Sequence, residues 1–143
     1  MIEGLIKTSL RKISVEGGDV MHAMKDTDIG YSGFGEAYFS SIENNKIKAW
    51  KKHKEMTLNL IVPVGAVKFV FCDQRTSNLI YDEVILSEEN YSRLTVPPNI
   101  WFGFQGMAHK TSILLNIANI KHDPTEVDRL NIDQIEYDWS KKE

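Results

Sequence analysis

Short apolar segments recur about every ten residues along the chain, separated by polar or glycine-containing turns. The most apolar of them covers residues 66–73 and predicts a strand that is buried on both faces. Further strands are predicted over residues 81–86, 92–96, 100–105 and 112–118. Such regular spacing is typical of an all-β sandwich or barrel.

The flanking segments give weaker signals. Residues 2–13 alternate loosely and predict an edge strand, and residues 20–24 predict a short one. Residues 35–42 predict a strand that turns at residues 43–45 into a hairpin with the strand that follows. At the other end, Asp123-Pro124 followed by T-E-V-D-R-L predicts a short helix, and Tyr137 and Trp139 are expected to return to a sheet.

The segment around which we expect a pocket to form is residues 48–65. Side chains alternate across a strand, so Lys51 and His53 share one face while Trp50 and Lys52 point to the other. Residues 96–104 predict the opposite wall of this pocket. Their alternation puts Phe102 and Phe104 on one face and Trp101 on the other.

Composition limits the possible classes of protein. A chain of 143 residues fits one domain, and 42% hydrophobic with 26% charged residues is ordinary for a globular protein. The net charge of -3 argues against nucleic acid as a general partner. The single cysteine, Cys72, permits neither an intrachain disulfide nor a cysteine zinc site. No apolar run is long enough to span a membrane and no signal peptide is recognisable, so a cytoplasmic location is expected.

A series of motifs resembles the cupin family of dTDP-4-dehydrorhamnose 3,5-epimerases, particularly its shorter members. In order they are G-D-V-M-H-A-M-K, G-E-A-Y-F-S, I-K-A-W-K-K-H, L-I-V-P-V-G-A-V-K-F-V-F-C-D-Q-R, V-P-P-N-I-W-F-G-F and I-E-Y-D-W. The resemblance implies a double-stranded β-helix, the cupin jelly roll, as a single domain over residues 1–143 with a short N-terminal strand arm and a C-terminal return segment. It also implies a homodimer that acts on nucleotide-linked 4-keto sugars without a metal or other cofactor.

The resemblance to metal-binding cupins is poorer. Their pattern of three histidines and one glutamate falls here on Lys51, His53, Leu58 and Phe102. One ligand of the four remains, and a stable site needs three or four nitrogen or oxygen donors. No metal site is therefore predicted.

Catalysis in the epimerase family removes a proton next to a C4 ketone. This needs a base, a group that stabilises the enolate oxygen, and an acid on the other face. The resemblance puts Lys48 at the family's arginine, Lys51 at its histidine base and Asn116 near its tyrosine acid. Either Lys51 is the base, with its pKa lowered by neighbouring cations, or its ammonium holds the enolate oxygen while His53 is the base. The third interpretation is that these lysines form a solvated basic edge.

Seven further residues are predicted to contact substrate. Lys48 and Arg75 would bind the diphosphate, Arg75 matching the family's D-x-R motif. Glu36 would orient a sugar hydroxyl, Tyr38 is the nearest phenol that could serve as acid, and Phe102 could stack on a base or sugar. Asn59 and Asn116 are polar positions in apolar strands. The competing interpretations are an outward-facing Glu36, a salt bridge of Arg75 with Asp73, and asparagines that only satisfy backbone groups.

The sequence thus predicts an epimerase or isomerase of a nucleotide-linked 4-keto-6-deoxy sugar, acting through an enolate in surface polysaccharide or deoxysugar biosynthesis. Two alternatives remain open. One is a catalytically inactive sugar-nucleotide-binding cupin, and the other is a structural or interaction protein with a filled barrel. Room for a hexose inside the barrel distinguishes the last alternative from the others.

Overall fold

The computed structural model describes residues 1–141, which are almost entirely β-structure. Two single turns of 3-10 helix occur, at Pro124–Glu126 and Ile132–Gln134, and no helix among these residues is long and apolar enough to cross a membrane. The strands are β1 (Ile6–Ser9), β2 (Lys12–Ile13), β3 (Val20–Met21), β4 (Glu36–Ile42), β5 (Ile47–His53), β6 (Leu58–Val64), β7 (Ala66–Asp73), β8 (Ile80–Ser87), β9 (Ser92–Val96), β10 (Trp101–Gly106), β11 (Ser112–Ala118) and β12 (Val127–Arg129).

Ten of these strands form two antiparallel five-stranded sheets that face each other. The first has the order β1-β9-β6-β11-β4 and the second the order β12-β5-β10-β7-β8. Apolar side chains from both sheets, among them Leu60, Phe69 and Leu114, make the core between them. This is a jelly roll, as predicted, and β1 lies at a sheet edge as expected.

Two predictions about strand pairing were wrong. β4 and β5 do not form a hairpin, because β4 pairs with β11 in the first sheet and β5 with β10 in the second. Residues 43–45 carry the chain from one sheet to the other. Residues 96–104 are not the opposite wall either, since β10 lies directly beside β5. Side-chain alternation shows which residues of a strand share a face, but it does not show which strand lies beside it. This explains both errors.

The face assignments of β5 and β10 were correct. Phe102 and Phe104 belong to the core between the sheets, whereas Trp50 and Trp101 pack on the outer face of the second sheet. The C-terminal segment covers that outer face as expected, with Trp139 against Trp50 at 5.3 Å between ring centroids. Cys72 is a buried member of this outer cluster, as its apolar context suggested.

The short helix predicted after Asp123 is replaced by one 3-10 turn and a strand. Asp123 caps the turn by accepting a hydrogen bond from the Thr125 backbone N–H at 2.9 Å. The chain then extends as β12 and pairs with β5. Pairing with a sheet edge satisfies the backbone groups that a second helical turn would have used. The consequence for function is that β12 lies beside Lys51.

Candidate active site

A cavity of about 670 Å³ lies between the two sheets. Its walls are built from rows of directly opposed residues on neighbouring strands, which share a face because antiparallel partners do. In the second sheet the Lys51 row consists of Arg129, Lys51 and Phe102. In the first sheet the Tyr38 row consists of Tyr38, Asn116 and Leu60. A cavity of this volume is typical of small-molecule sites and argues against the filled-barrel alternative.

The Lys51 side of the cavity is strongly cationic. Lys48, Lys51 and Arg129 all line it, and no carboxylate among residues 1–141 does so. Lys48 Nζ donates a hydrogen bond to the Ser41 carbonyl at 2.8 Å, and Lys51 Nζ lies 5.7 Å from the centroid of the Phe102 ring. Three cations with no lining anion make a site for a negatively charged ligand.

The electrostatics of Lys51 follow from this arrangement. Burial lowers the pKa of Lys51, and the neighbouring charges of Arg129 and Lys48 lower it further, against a smaller opposite effect of Glu126. Burial and the two neighbouring cations all disfavour the ammonium form. Lys51 is thus more easily deprotonated than an ordinary surface lysine.

The Tyr38 side of the cavity carries neutral polar groups. Asn116 Nδ2 donates a hydrogen bond to Tyr38 Oη at 2.9 Å. Asn116 Oδ1 is buried and has no hydrogen-bond partner in the described part of the chain. Burial raises the pKa of Tyr38, and the charge of Glu36 raises it further while Arg129 lowers it. Tyr38 is therefore a protonated phenol at neutral pH.

His53 lies two residues beyond Lys51 on the same face but is enclosed rather than exposed to the cavity. Its Nδ1 hydrogen-bonds to Glu126, and its ring stacks on Phe102 at 6.3 Å between centroids. Glu126 also accepts hydrogen bonds from the backbone N–H groups of Glu55 and Met56, each at 3.2 Å. This buried pair therefore ties the turn before β12 to β5, and β12 carries Arg129.

Burial lowers the pKa of His53, and the charges of Lys51 and Arg129 lower it further. Together they outweigh the opposite influence of Glu126. The pKa of Glu126 is also lowered, because the hydrogen bonds from His53 and the two backbone N–H groups together outweigh burial. At neutral pH the pair is a neutral imidazole that donates from Nδ1 to a carboxylate. Its Nε2 is buried and has no partner among the described residues.

The structure brings together a majority of the predicted site residues: Lys48, Lys51, Phe102, Asn116 and Tyr38 line the cavity. Glu36 lies on the same face of β4 as Tyr38, two positions away and outside the cavity lining. The catalytic and binding roles assigned to these residues stay predictions.

Two predicted residues lie elsewhere, which corrects their placement. Asn59 is on the outer face of β6, where it donates to the Gly30 carbonyl at 3.0 Å and accepts from Thr95 Oγ1 at 2.6 Å. Arg75 follows the end of β7 and binds both carboxylate oxygens of Asp73 at 2.9 Å. These contacts match the alternative interpretations: Asn59 hydrogen-bonds to a backbone group, and Arg75 forms a salt bridge with Asp73.

Sequence reasoning did not find Arg129 or Glu126, because it assigned their segment to a helix. A signal was present in the charges. Asp128 lies opposite Lys52 on β5 and is 3.8 Å from its Nζ and 3.6 Å from Lys54 Nζ. The opposite charges of Asp128 and of Lys52 and Lys54 would have favoured a strand pair over a helix.

No family model matches the chain. The crystal structure of a dTDP sugar isomerase from Desulfovibrio desulfuricans G20 superposes with a TM-score of 0.92 and 33% identity, over 99% of this chain and 94% of that one. The chain belongs to this family of dTDP-sugar isomerases. The resemblance to cupin nucleotide-sugar epimerases and isomerases is thereby confirmed.

More distant matches agree with the fold of the family. A dTDP-4-dehydrorhamnose 3,5-epimerase from Sulfolobus tokodaii superposes with a TM-score of 0.80 at 19% identity, over 94% of this chain and 81% of that one. A curated relative is the spore coat polysaccharide biosynthesis protein SpsL of Bacillus subtilis strain 168, 22% identical over 98% of this chain and 97% of that protein. These matches place the family on the epimerase jelly roll.

Proposed function

We propose that the protein is an epimerase or isomerase of a nucleotide-linked 4-keto-6-deoxy sugar and acts through an enolate. The observation that carries the proposal is Lys51: a half-buried lysine with a lowered pKa in a cavity of about 670 Å³, without an anionic partner among the described lining residues. One wall of the cavity carries basic side chains and the other carries neutral polar ones, which suits proton removal on one side of a sugar ring. Membership of a dTDP-sugar isomerase family supports the same substrate class.

The diphosphate binds to the cationic side of the cavity in this proposal. Lys48 and Arg129 both line it, and the described lining residues offer no carboxylate that would repel phosphate. The guanidinium of Arg129 can form paired hydrogen bonds with phosphate oxygens, and Lys48 adds a point charge. Arg129 thus takes the role that the sequence had suggested for Arg75.

Lys51 removes the proton from the carbon next to the ketone. Its neutral amine accepts that proton, negative charge moves to the C4 oxygen, and the Lys51 ammonium that results stabilises the enolate. His53 supports this step indirectly, because its hydrogen bond with Glu126 holds β12 and therefore Arg129 beside Lys51. The enclosure of His53 favours this assignment over His53 as the base.

The proposal extends to the pathway, the location and the assembly of the protein. A curated relative takes part in spore coat polysaccharide biosynthesis, which supports a role in making a surface polysaccharide. We propose a cytoplasmic homodimer that uses the free edge of β4, where Phe39 and Phe34 are 70% and 65% exposed. Large exposed aromatic side chains on a sheet edge favour association with another chain.

Product analysis tests the proposal. The protein is incubated with dTDP-, GDP- and UDP-linked 4-keto-6-deoxyglucose, and the sugars are identified by NMR from their coupling constants. We expect an epimer or a 3-keto isomer from at least one nucleotide sugar, and loss of that product in Lys51→Met. Saturable binding without any product would instead favour a sugar-nucleotide-binding cupin.

A further inference from the structure

Tyr38 and Asn116 form a hydrogen-bonded pair on the cavity wall that faces the Lys51 row. They are direct partners in the register of β4 and β11, so their side chains emerge side by side from the first sheet. Lys51 emerges from the second sheet. A ligand that fills the cavity between the sheets therefore has Lys51 on one face and Tyr38 on the other.

The direction of the hydrogen bond matters. The Asn116 amide donates to Tyr38 Oη, so this bond uses a lone pair of the phenol and not its proton. No acceptor for that proton is found within residues 1–141. Asn116 Oδ1 is itself buried without a partner, and Asn116 is 4% exposed. The pair thus presents one donor, the phenol O–H of the partly exposed Tyr38, to a ligand in the cavity.

We propose that Tyr38 is the proton donor on the second face of the sugar, and that Asn116 is a positioning residue that keeps the phenol proton directed into the cavity. This rests on the enolate chemistry proposed above. Lys51 removes the proton from one face, and Tyr38 delivers its phenol proton to the same carbon from the other. The C–H bond is re-formed with inverted configuration and the C4 ketone is restored. The phenolate then takes a proton from solvent, and the Lys51 ammonium releases one to solvent.

The test separates removal of the proton from inversion. Each variant is incubated in heavy water with the nucleotide sugar that the protein converts, and NMR follows two rates: deuterium entry with retained configuration and formation of the inverted product. In Tyr38→Phe we expect inversion to fall about 100-fold, the usual contribution of a general acid, while deuterium entry with retention continues by way of Lys51.

Asn116→Asp tests the positioning role. A carboxylate can only accept, so it takes the Tyr38 proton and turns it away from the substrate. We expect the same selective loss of inversion, with dTDP affinity unchanged. Tyr31→Phe is the matched control, because Tyr31 lies outside the cavity lining and its loss should change neither rate.

The outcomes are distinct. Inversion at the normal rate in Tyr38→Phe overturns the proposal, and so does equal loss of inversion and exchange, which would indicate substrate positioning. If Asn116→Asp leaves inversion intact, the positioning role is wrong. Absence of exchange in the unmodified protein defeats the enolate chemistry itself, and the assignment of Tyr38 then falls with it.

Discussion

Lys51 is a basic residue that the fold half-buries beside Lys48 and Arg129, with its Nζ 5.7 Å from the centroid of the Phe102 ring. Removing that charge should help folding and abolish catalysis. For Lys51→Met we expect no detectable product and a stability gain of about 1 kcal/mol, as is common when a strained functional residue is replaced. Thermal unfolding monitored by circular dichroism measures the gain. A lower melting temperature in Lys51→Met would contradict this description of Lys51.

Arg129 adds to the effect of burial in lowering the pKa of Lys51, and in the proposed function it also binds phosphate. Because the charge of Arg129 lowers the pKa of Lys51, Arg129→Met should raise that pKa and leave less neutral amine at pH 7. Activity should rise with pH as the Lys51 ammonium loses its proton, and in Arg129→Met this rise should occur at higher pH. The pH dependence of kcat measures the shift. An unchanged profile would mean that Lys51 is not the base.

The turn before β12 depends on the buried pair of His53 and Glu126. Glu126→Ala removes the acceptor of three hydrogen bonds, from the His53 ring and the backbone N–H groups of Glu55 and Met56. We expect a loss of about 3 kcal/mol, the order found when one partner of a buried pair is removed. Urea denaturation measures it. Thr125→Ala, at an exposed neighbour, is the control and should lose much less.

The same pair makes stability depend on pH. The folded-state pKa of His53 is below its ordinary value, so between the two values the unfolded chain binds more protons than the folded one. Stability should therefore be full above about pH 6.5 and fall as the pH decreases through the folded-state pKa. Lowering of the Glu126 pKa extends the loss to more acidic pH. His53→Asn keeps a donor near the Nδ1 position and should flatten the first part of the decline in urea titrations.

Individual strands were predictable from sequence because burial is recorded locally, in the alternation of β5 and β10 and the continuous apolar run of β7. The pairing of strands was not predictable, because partners such as Lys51 and Arg129 are far apart in the sequence. Asn59 shows a second limit. β6 is buried on both faces, one of them beneath the loop that contains Gly30, so a polar residue in it could face either side.

At the scale of the whole molecule, we expect two copies of the protein to associate through the edge of β4. Light scattering after gel filtration should give the mass of a dimer if the β4 edge is the interface. Phe39→Lys places a charge on that edge and should yield monomers. Leu79→Lys is the control. Leu79 is 54% exposed and immediately precedes β8, an edge strand of the second sheet. Dissociation by Leu79→Lys but not by Phe39→Lys would assign the interface elsewhere.

The direct test of the enolate mechanism is hydrogen exchange at the sugar carbons. The C3 and C5 proton signals of dTDP-4-keto-6-deoxyglucose, and of its GDP and UDP analogues, are followed by NMR in heavy water with the unmodified protein and with Lys51→Met. The account predicts that the protein replaces at least one of these protons with deuterium and that Lys51→Met binds the same sugar without exchange. No exchange with any of the three, or exchange that is undiminished in Lys51→Met, would contradict it.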